Sequence, residues 1–145
     1  MIPILCIVGR SGAGKTTLIE SLIPALKKKG YRVGTIKHDV HGFEMDKEGK
    51  DTWRHKKAGA ELVLISSPQK LALIKDMDKD LSLEELCTRY VSDVDLILTE
   101  GYKTGTAFPK IEVYRKVLGT EPLCAGDPTV VAVVGDPAPA LKVPH

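Results

Sequence analysis

The chain has 145 residues, 43% apolar and 28% charged, with a net charge of +2. These values fit one folded domain spanning residues 1–145, long enough to bury about two-thirds of its unfolded surface, and they exclude a disordered or fibrous chain. The scattered lysines and small net charge argue against nucleic acid, and the first apolar run ends at Gly9, too short for a signal peptide or membrane span. Cys6, Cys87 and Cys124 lie far apart, which is neither a disulfide framework nor a zinc ribbon and leaves a reducing cytoplasm as the expected compartment.

Ile4–Val8 reads as a buried strand running into Gly9-Arg10-Ser11-Gly12-Ala13-Gly14-Lys15-Thr16-Thr17. That run matches the phosphate-binding P-loop, G-x-x-x-x-G-K-[ST], at every fixed position. Glycines at 9, 12 and 14 let the backbone approach a phosphate with no Cβ between them. The loop amides then form an anion nest at the positive end of the following helix. Lys15 is expected on the β- and γ-phosphates, and the Thr16 hydroxyl on Mg²⁺. The helix carries Leu18, Ile19, Leu22, Ile23 and Leu26 at helical spacing, with lysines 27–29 and Gly30 at its end. Pro24 predicts a kink inside it, with the helix persisting.

Tyr31–Ile36 is the next strand, ending at Lys37, so strand, helix and strand alternate as in a parallel sheet with right-handed crossovers. Residues 37–50 are polar and aperiodic, a long functional loop. Lys37 and His38 leave the carboxyl end of that strand, where open α/β sheets bind ligands. His38, Asp39, His41, Asp46, Asp51 and His55 are oxygen and nitrogen donors with no recognised metal spacing. A short helix at 51–58 puts Asp51, Arg54 and His55 on one face, with Arg54 a candidate contact for an anion. Trp53 is open to a core, interface or functional role.

Glu61–Ser66 and Gln69–Lys75 read as a hairpin whose two-sided apolar character suits burial or an edge paired with a second subunit. Ser82-Leu83-Glu84-Glu85 opens a helix to about Tyr90. Val94–Thr99 is a continuous apolar strand that delivers Glu100 and Gly101 to its end, a Walker-B pattern in which Glu100 serves Mg²⁺ directly or through water. The Gly101 N–H is a candidate γ-phosphate donor. Asp95, at the start of the strand, ranks below Glu100. Ile111–Tyr114 and Val130–Val134 complete the strands. After them the chain runs Pro-Ala-Pro-Ala to His145 with no helix over the last strand, which reads as a C-terminal end cut short or covered by a partner. With no Asn in the chain, the N-K-x-D guanine reader of small GTPases is absent, and Asp136 is the positional candidate for guanine N1 and N2.

Taken together, the P-loop, Lys37–His41, Asp51–Ala60 and Asp95–Lys103 resemble the molybdopterin-guanine dinucleotide biosynthesis protein B family over nearly the whole chain. The resemblance implies a P-loop NTPase-like, three-layer α/β/α fold with a mainly parallel sheet and a hairpin extension. It also implies a GTP-binding homodimer with weak GTPase activity, acting beside the guanylyltransferase that attaches GMP to the molybdopterin cofactor. By position, residues 12–17 bind phosphates, Thr16 and Glu100 serve Mg²⁺, and Lys37–His41 with Arg54 and His55 line the cleft. Two other classes share the P-loop: a small-molecule kinase, for which the five scattered arginines make no lid, and a metallochaperone GTPase using His38 and His41. The only glutamine, Gln69, lies in the hairpin, so no glutamine stands ready to position water, and intrinsic hydrolysis should be slow.

Overall fold

The computed structural model describes residues 2–137 and 143–144. Its contacts divide the chain into two compact units, one built from residues up to Val40 and from Leu83 onward, the other from His41–Ser82.

The first unit is organised on a parallel sheet. Its strands are β1 (Ile4–Val8), β2 (Val33–Lys37), β5 (Leu96–Glu100), β6 (Lys110–Tyr114) and β7 (Val130–Gly135), in the spatial order β2-β5-β1-β6-β7. The helices are α1 (Lys15–Lys28) and α3 (Leu83–Tyr90). Alternate side chains on a strand point to opposite faces, and both faces of β1 are covered. Leu5 and Ile7 pack with Leu98, Val113 and the apolar stripe of α1, Leu18, Ile19, Leu22, Ile23 and Leu26. Ile4, Cys6 and Val8 pack on the other side with Ile97 and with Leu83, Cys87 and Val91 in and after α3. The result is the expected α/β/α sandwich with β1 at its centre. Because the chain goes to one side of β1 for β2 and β5 and to the other for β6 and β7, β1 is the topological switch point, where the carboxyl ends of parallel strands form a crevice.

Pro24 lies inside α1, and the helix persists across it from Lys15 to Lys28 as expected. Asp95 is held at the opposite end of β5 from Glu100. It accepts the Arg32 backbone N–H at 2.7 Å and pairs with its guanidinium at 3.0 Å, a contact that lowers its pKa. The three cysteines are free.

The connection from β6 to β7 replaces a crossover helix with a single 3₁₀ turn at Lys116–Leu118. What holds it is polar. Lys110 and Glu112 are each only 1% exposed. The Lys110 ammonium donates to the Asp127 carboxylate at 2.7 Å, to the Thr129 hydroxyl at 2.6 Å and to the Gly105 carbonyl. The Glu112 carboxylate accepts the backbone N–H groups of Leu123 and, at 3.0 Å, Cys124. The Tyr114 hydroxyl reaches the Gly119 and Thr120 carbonyls at 3.1 and 2.9 Å. Burial, Glu112 and Asp127 push the Cys124 thiol up to about 11, so it stays protonated and packs as a small apolar side chain. Of the chain's end, residues 138–142 and 145 lie outside the described residues, so most of the Pro-Ala-Pro-Ala run does too. The Pro144 carbonyl accepts the Val133 N–H at 2.9 Å, and Val143 packs on Tyr114 and Val133.

The second unit contains α2 (Asp51–Lys57) and the antiparallel hairpin β3 (Leu62–Ser66) and β4 (Leu71–Lys75). Lys56 ties α2 to the chain after β4 by donating to the Ala60 carbonyl at 2.7 Å and pairing with Asp76.

The Lys110–Asp127 pair yields an expected outcome. Lys110 and Thr129 lower the Asp127 pKa to about 2, below the unfolded value of about 3.9. Its contribution is therefore complete above about pH 4 and is lost as the pH falls toward 2. Asp127→Ala strands a buried ammonium and should cost about 3 kcal/mol in urea unfolding at pH 7. The difference from the parent chain should shrink on acidification through that window.

Candidate functional site

The loop between β1 and α1 is shaped by close approach. A Cβ at Gly9 would lie 2.4 Å from the Val113 carbonyl oxygen of β6, and its φ is +143°. Gly14, at φ +101°, serves as the N-cap of α1 and supplies no side-chain cap. No acidic residue occupies the first turn of this 14-residue helix. Its leading amides and positive end are therefore left to an external anion. Ser11, Gly12 and Thr17 are exposed around this end, while Ala13 is buried beneath it and packs on Ile7 and Leu98. The Lys15 ammonium donates to the Arg10 carbonyl at 3.0 Å, and the Ala13 N–H to the same oxygen at 3.2 Å. The Arg10 guanidinium lies against Gly119, where a Cβ would meet its Nε at 2.4 Å. Nothing in the motif foretold that contact.

Parallel pairing brings the second element to the same edge. β1 and β5 are neighbours with Ile7 opposite Glu100, so Glu100 leaves the sheet beside the start of α1. The Thr16 hydroxyl donates to Glu100 Oε2 at 2.9 Å. This spacing suits a divalent cation. Octahedral Mg²⁺ with oxygens at 2.0–2.1 Å places adjacent ligands about 3 Å apart, so the two oxygens could take neighbouring positions with little movement. Among the described residues no group of three or more His, Cys, Asp or Glu forms a metal cluster, and the loop histidines do not make one.

β2 pairs with β5 so that Lys37 lies opposite Glu100, and the His38 N–H donates to the Glu100 carbonyl at 3.1 Å. The His38 ring lies 5.0 Å from that of Tyr102. Lys37 and His38 thus join Glu100 at the crevice. Gly101 requires a correction. Its N–H donates to the Ile7 carbonyl at 3.1 Å, within the sheet, and is not a free donor for a γ-phosphate. Gly101 instead packs under His38, whose Cβ would be 3.4 Å from an added methyl. Asp136 follows β7 at the same edge of the sheet, and its Oδ2 accepts the Lys116 N–H at 2.8 Å. Arg54 and His55 lie on α2 in the second unit, both exposed.

A five-stranded parallel sheet with a P-loop at its switch point, an uncapped helix behind the loop and an acid at the end of the adjacent strand defines a P-loop NTPase-like protein. The family model for molybdopterin guanine dinucleotide synthesis protein B matches residues 4–136. A molybdopterin-guanine dinucleotide biosynthesis adapter protein of Haemophilus influenzae is 43% identical over 133 residues, covering 91% of this chain and 74% of that protein. The Escherichia coli protein of the same description is 41% identical over 140 residues, covering 94% and 79%. The crystal structure of Bacillus subtilis MobB superposes with a TM-score of 0.64 at 34% identity, over 78% of this chain and 68% of that one. The chain belongs to the MobB family.

Proposed function

We propose that this protein is a GTP-binding adapter in the biosynthesis of molybdopterin guanine dinucleotide, binding GTP with Mg²⁺ at the crevice around β1. The observation that carries the reading is the 2.9 Å contact between Thr16 and Glu100 beside an uncapped helix start. In this reading the amides of Gly9, Ser11, Gly12 and Gly14 cradle the phosphates, Ala13 braces the turn through its N–H bond to the Arg10 carbonyl rather than serving as a free donor, and Lys15 leaves that carbonyl for the β- and γ-oxygens. Thr16 and Glu100 hold Mg²⁺, directly or through water. The bound cation supplies charge neutralisation at the bridging phosphate oxygens. Lys37 and His38 flank the γ end, and Asp136, steadied by the Lys116 amide, accepts from guanine N1 and N2. Two interstrand spacings, about 10 Å, separate β7 from β1, a span that lets one nucleotide engage both.

Catalysis by these groups is incomplete. Hydrolysis needs an oriented water and charge stabilisation beyond the P-loop lysine, and Gln69 is in the β3–β4 turn of the other unit. Slow turnover suits a protein that presents nucleotide or cofactor to the guanylyltransferase that joins GMP to molybdopterin. Arg54 and His55 are assigned to that cofactor or partner surface. The cysteines, all free, fit a cytoplasmic setting, and none of the described helices is long and apolar enough to cross a membrane.

A homodimer is part of the proposal. Ile65 is 56% and Leu71 64% exposed on the hairpin, and a two-stranded sheet this apolar is stabilised by a second layer or a partner strand.

Lys15→Ala should weaken GTP binding by about 1.5–3 kcal/mol in isothermal titration, and unchanged affinity would overturn the assigned cradle. Single-turnover hydrolysis without partner should run well below about 1 s⁻¹, in the range of unassisted GTPases. Light scattering should give twice the chain mass, falling to one chain in Ile65→Lys with Leu71→Lys.

A further inference from the structure

The phosphate chemistry accounts for the Arg10 carbonyl but not for its side chain. The carbonyl braces the loop by accepting the Lys15 ammonium at 3.0 Å and the Ala13 N–H at 3.2 Å. The side chain is exposed and turns away to lie against Gly119, in the turn that follows β6. A Cβ built on Gly119 would meet the Arg10 Nε at 2.4 Å, Cζ at 2.8 Å and Nη2 at 3.0 Å. The guanidinium therefore lies across the space that a side chain at 119 would take. Gly119 itself has φ 166° and ψ 144°, an extended backbone that any residue adopts. Its conformation does not call for glycine; the seating of Arg10 does.

The same turn is held from its other side by Asp136, whose Oδ2 accepts the Lys116 N–H at 2.8 Å. The buried Tyr114 hydroxyl fixes its far end through the Gly119 and Thr120 carbonyls. Arg10 reaches the turn from the β1 side and Asp136 from the β7 side, with β6 between them. A nucleotide with its phosphates on the P-loop and its base edge on Asp136 has to cross that turn, and the guanidinium is the flat surface it crosses. Among the described residues no carboxylate pairs with that guanidinium.

We propose that Arg10 is a base-binding residue: the purine ring of the nucleotide stacks on its guanidinium plane, and Gly119 is the seat that keeps this plane in line with Asp136. The inference rests on the nucleotide site proposed above and deepens it, adding a contact that no fixed position of the P-loop motif supplies. A guanidinium stacks on aromatic faces by dispersion and cation–π attraction, and a lysine, a point charge with no plane, does not replace it. Stacking is indifferent to which base is bound. Arg10 thus sets the affinity for any purine nucleotide, and discrimination between purines stays with Asp136.

The test separates base from phosphates. The full chain with Mg²⁺ is titrated calorimetrically with GTP and with inorganic tripolyphosphate. Arg10→Ala should weaken GTP about tenfold and leave tripolyphosphate within about twofold. Arg10→Tyr, which restores a plane without a charge, should recover most of the loss, and Arg10→Lys, which restores the charge without a plane, should not. Gly119→Ala should push the guanidinium off its seat, since a side-chain end gives way more easily than backbone. GTP should then bind about fivefold more weakly with the thermal transition unmoved, and in the Arg10→Ala background the same change should have no further effect. Equal losses for the two ligands, or rescue by Arg10→Lys, make Arg10 a phosphate contact and overturn the proposal. Unchanged GTP affinity in Arg10→Ala overturns it as well. A parent chain that binds neither ligand overturns the nucleotide site along with it, whereas a chain that binds GTP equally well without Arg10 overturns this inference alone.

Discussion

The contact between Thr16 and Glu100 is the constraint on which the rest of the crevice depends, because it is made only if two sequence-distant segments arrive at the same edge in the same register. The parallel pairing of β1 with β5 sets that register, Ile7 opposite Glu100. The same pairing commits the Gly101 amide to the Ile7 carbonyl, and the pairing of β2 with β5 adds Lys37 and His38 alongside. Gly9 fixes the third side, since only a residue without a Cβ can pass the Val113 carbonyl as closely as it does. Site geometry here is a property of strand register, and side-chain chemistry is laid over it.

Much of this was legible in the residues. The P-loop spacing, the apolar run ending in Glu100 and the strand after Gly30 depend on local pattern, and each element lies within a residue or two of where the sequence puts it. The resemblance to the family was carried by stretches whose composition is unusual, and it holds. Gly101 was misread because the sequence gives its place at a strand end but not the bond its amide makes across to β1. Arg10 was passed over because its partner, Gly119, is over a hundred residues away.

β6 lies where the sequence puts it, but the burial of its polar face was the least legible feature of the fold. Lys110-Ile111-Glu112-Val113-Tyr114 alternates polar and apolar residues, the pattern of a strand with one wet face. Here the polar face is buried with the rest, because fully paired charges inside satisfy a connection that has no helix to offer. A sequence shows the alternation, but apart from the Gly105 carbonyl the partners lie 11 to 19 positions away in an irregular segment containing Gly and Pro, and no periodicity announces them. Asp46 in the second unit belongs to the same class. It looks like any loop aspartate until the burial of one of its oxygens is known.

The carboxylate of Glu112 has an effect on motion as well as on stability. Surface connections usually exchange their amide hydrogens with solvent as fast as a disordered peptide does. The Leu123 and Cys124 amides, clamped by an acid rooted in a central strand, should exchange only when the sheet itself opens. The segment between β6 and β7 would then carry a slow island with no regular structure around it, coupling the opening of that loop to the opening of the strand that flanks the P-loop.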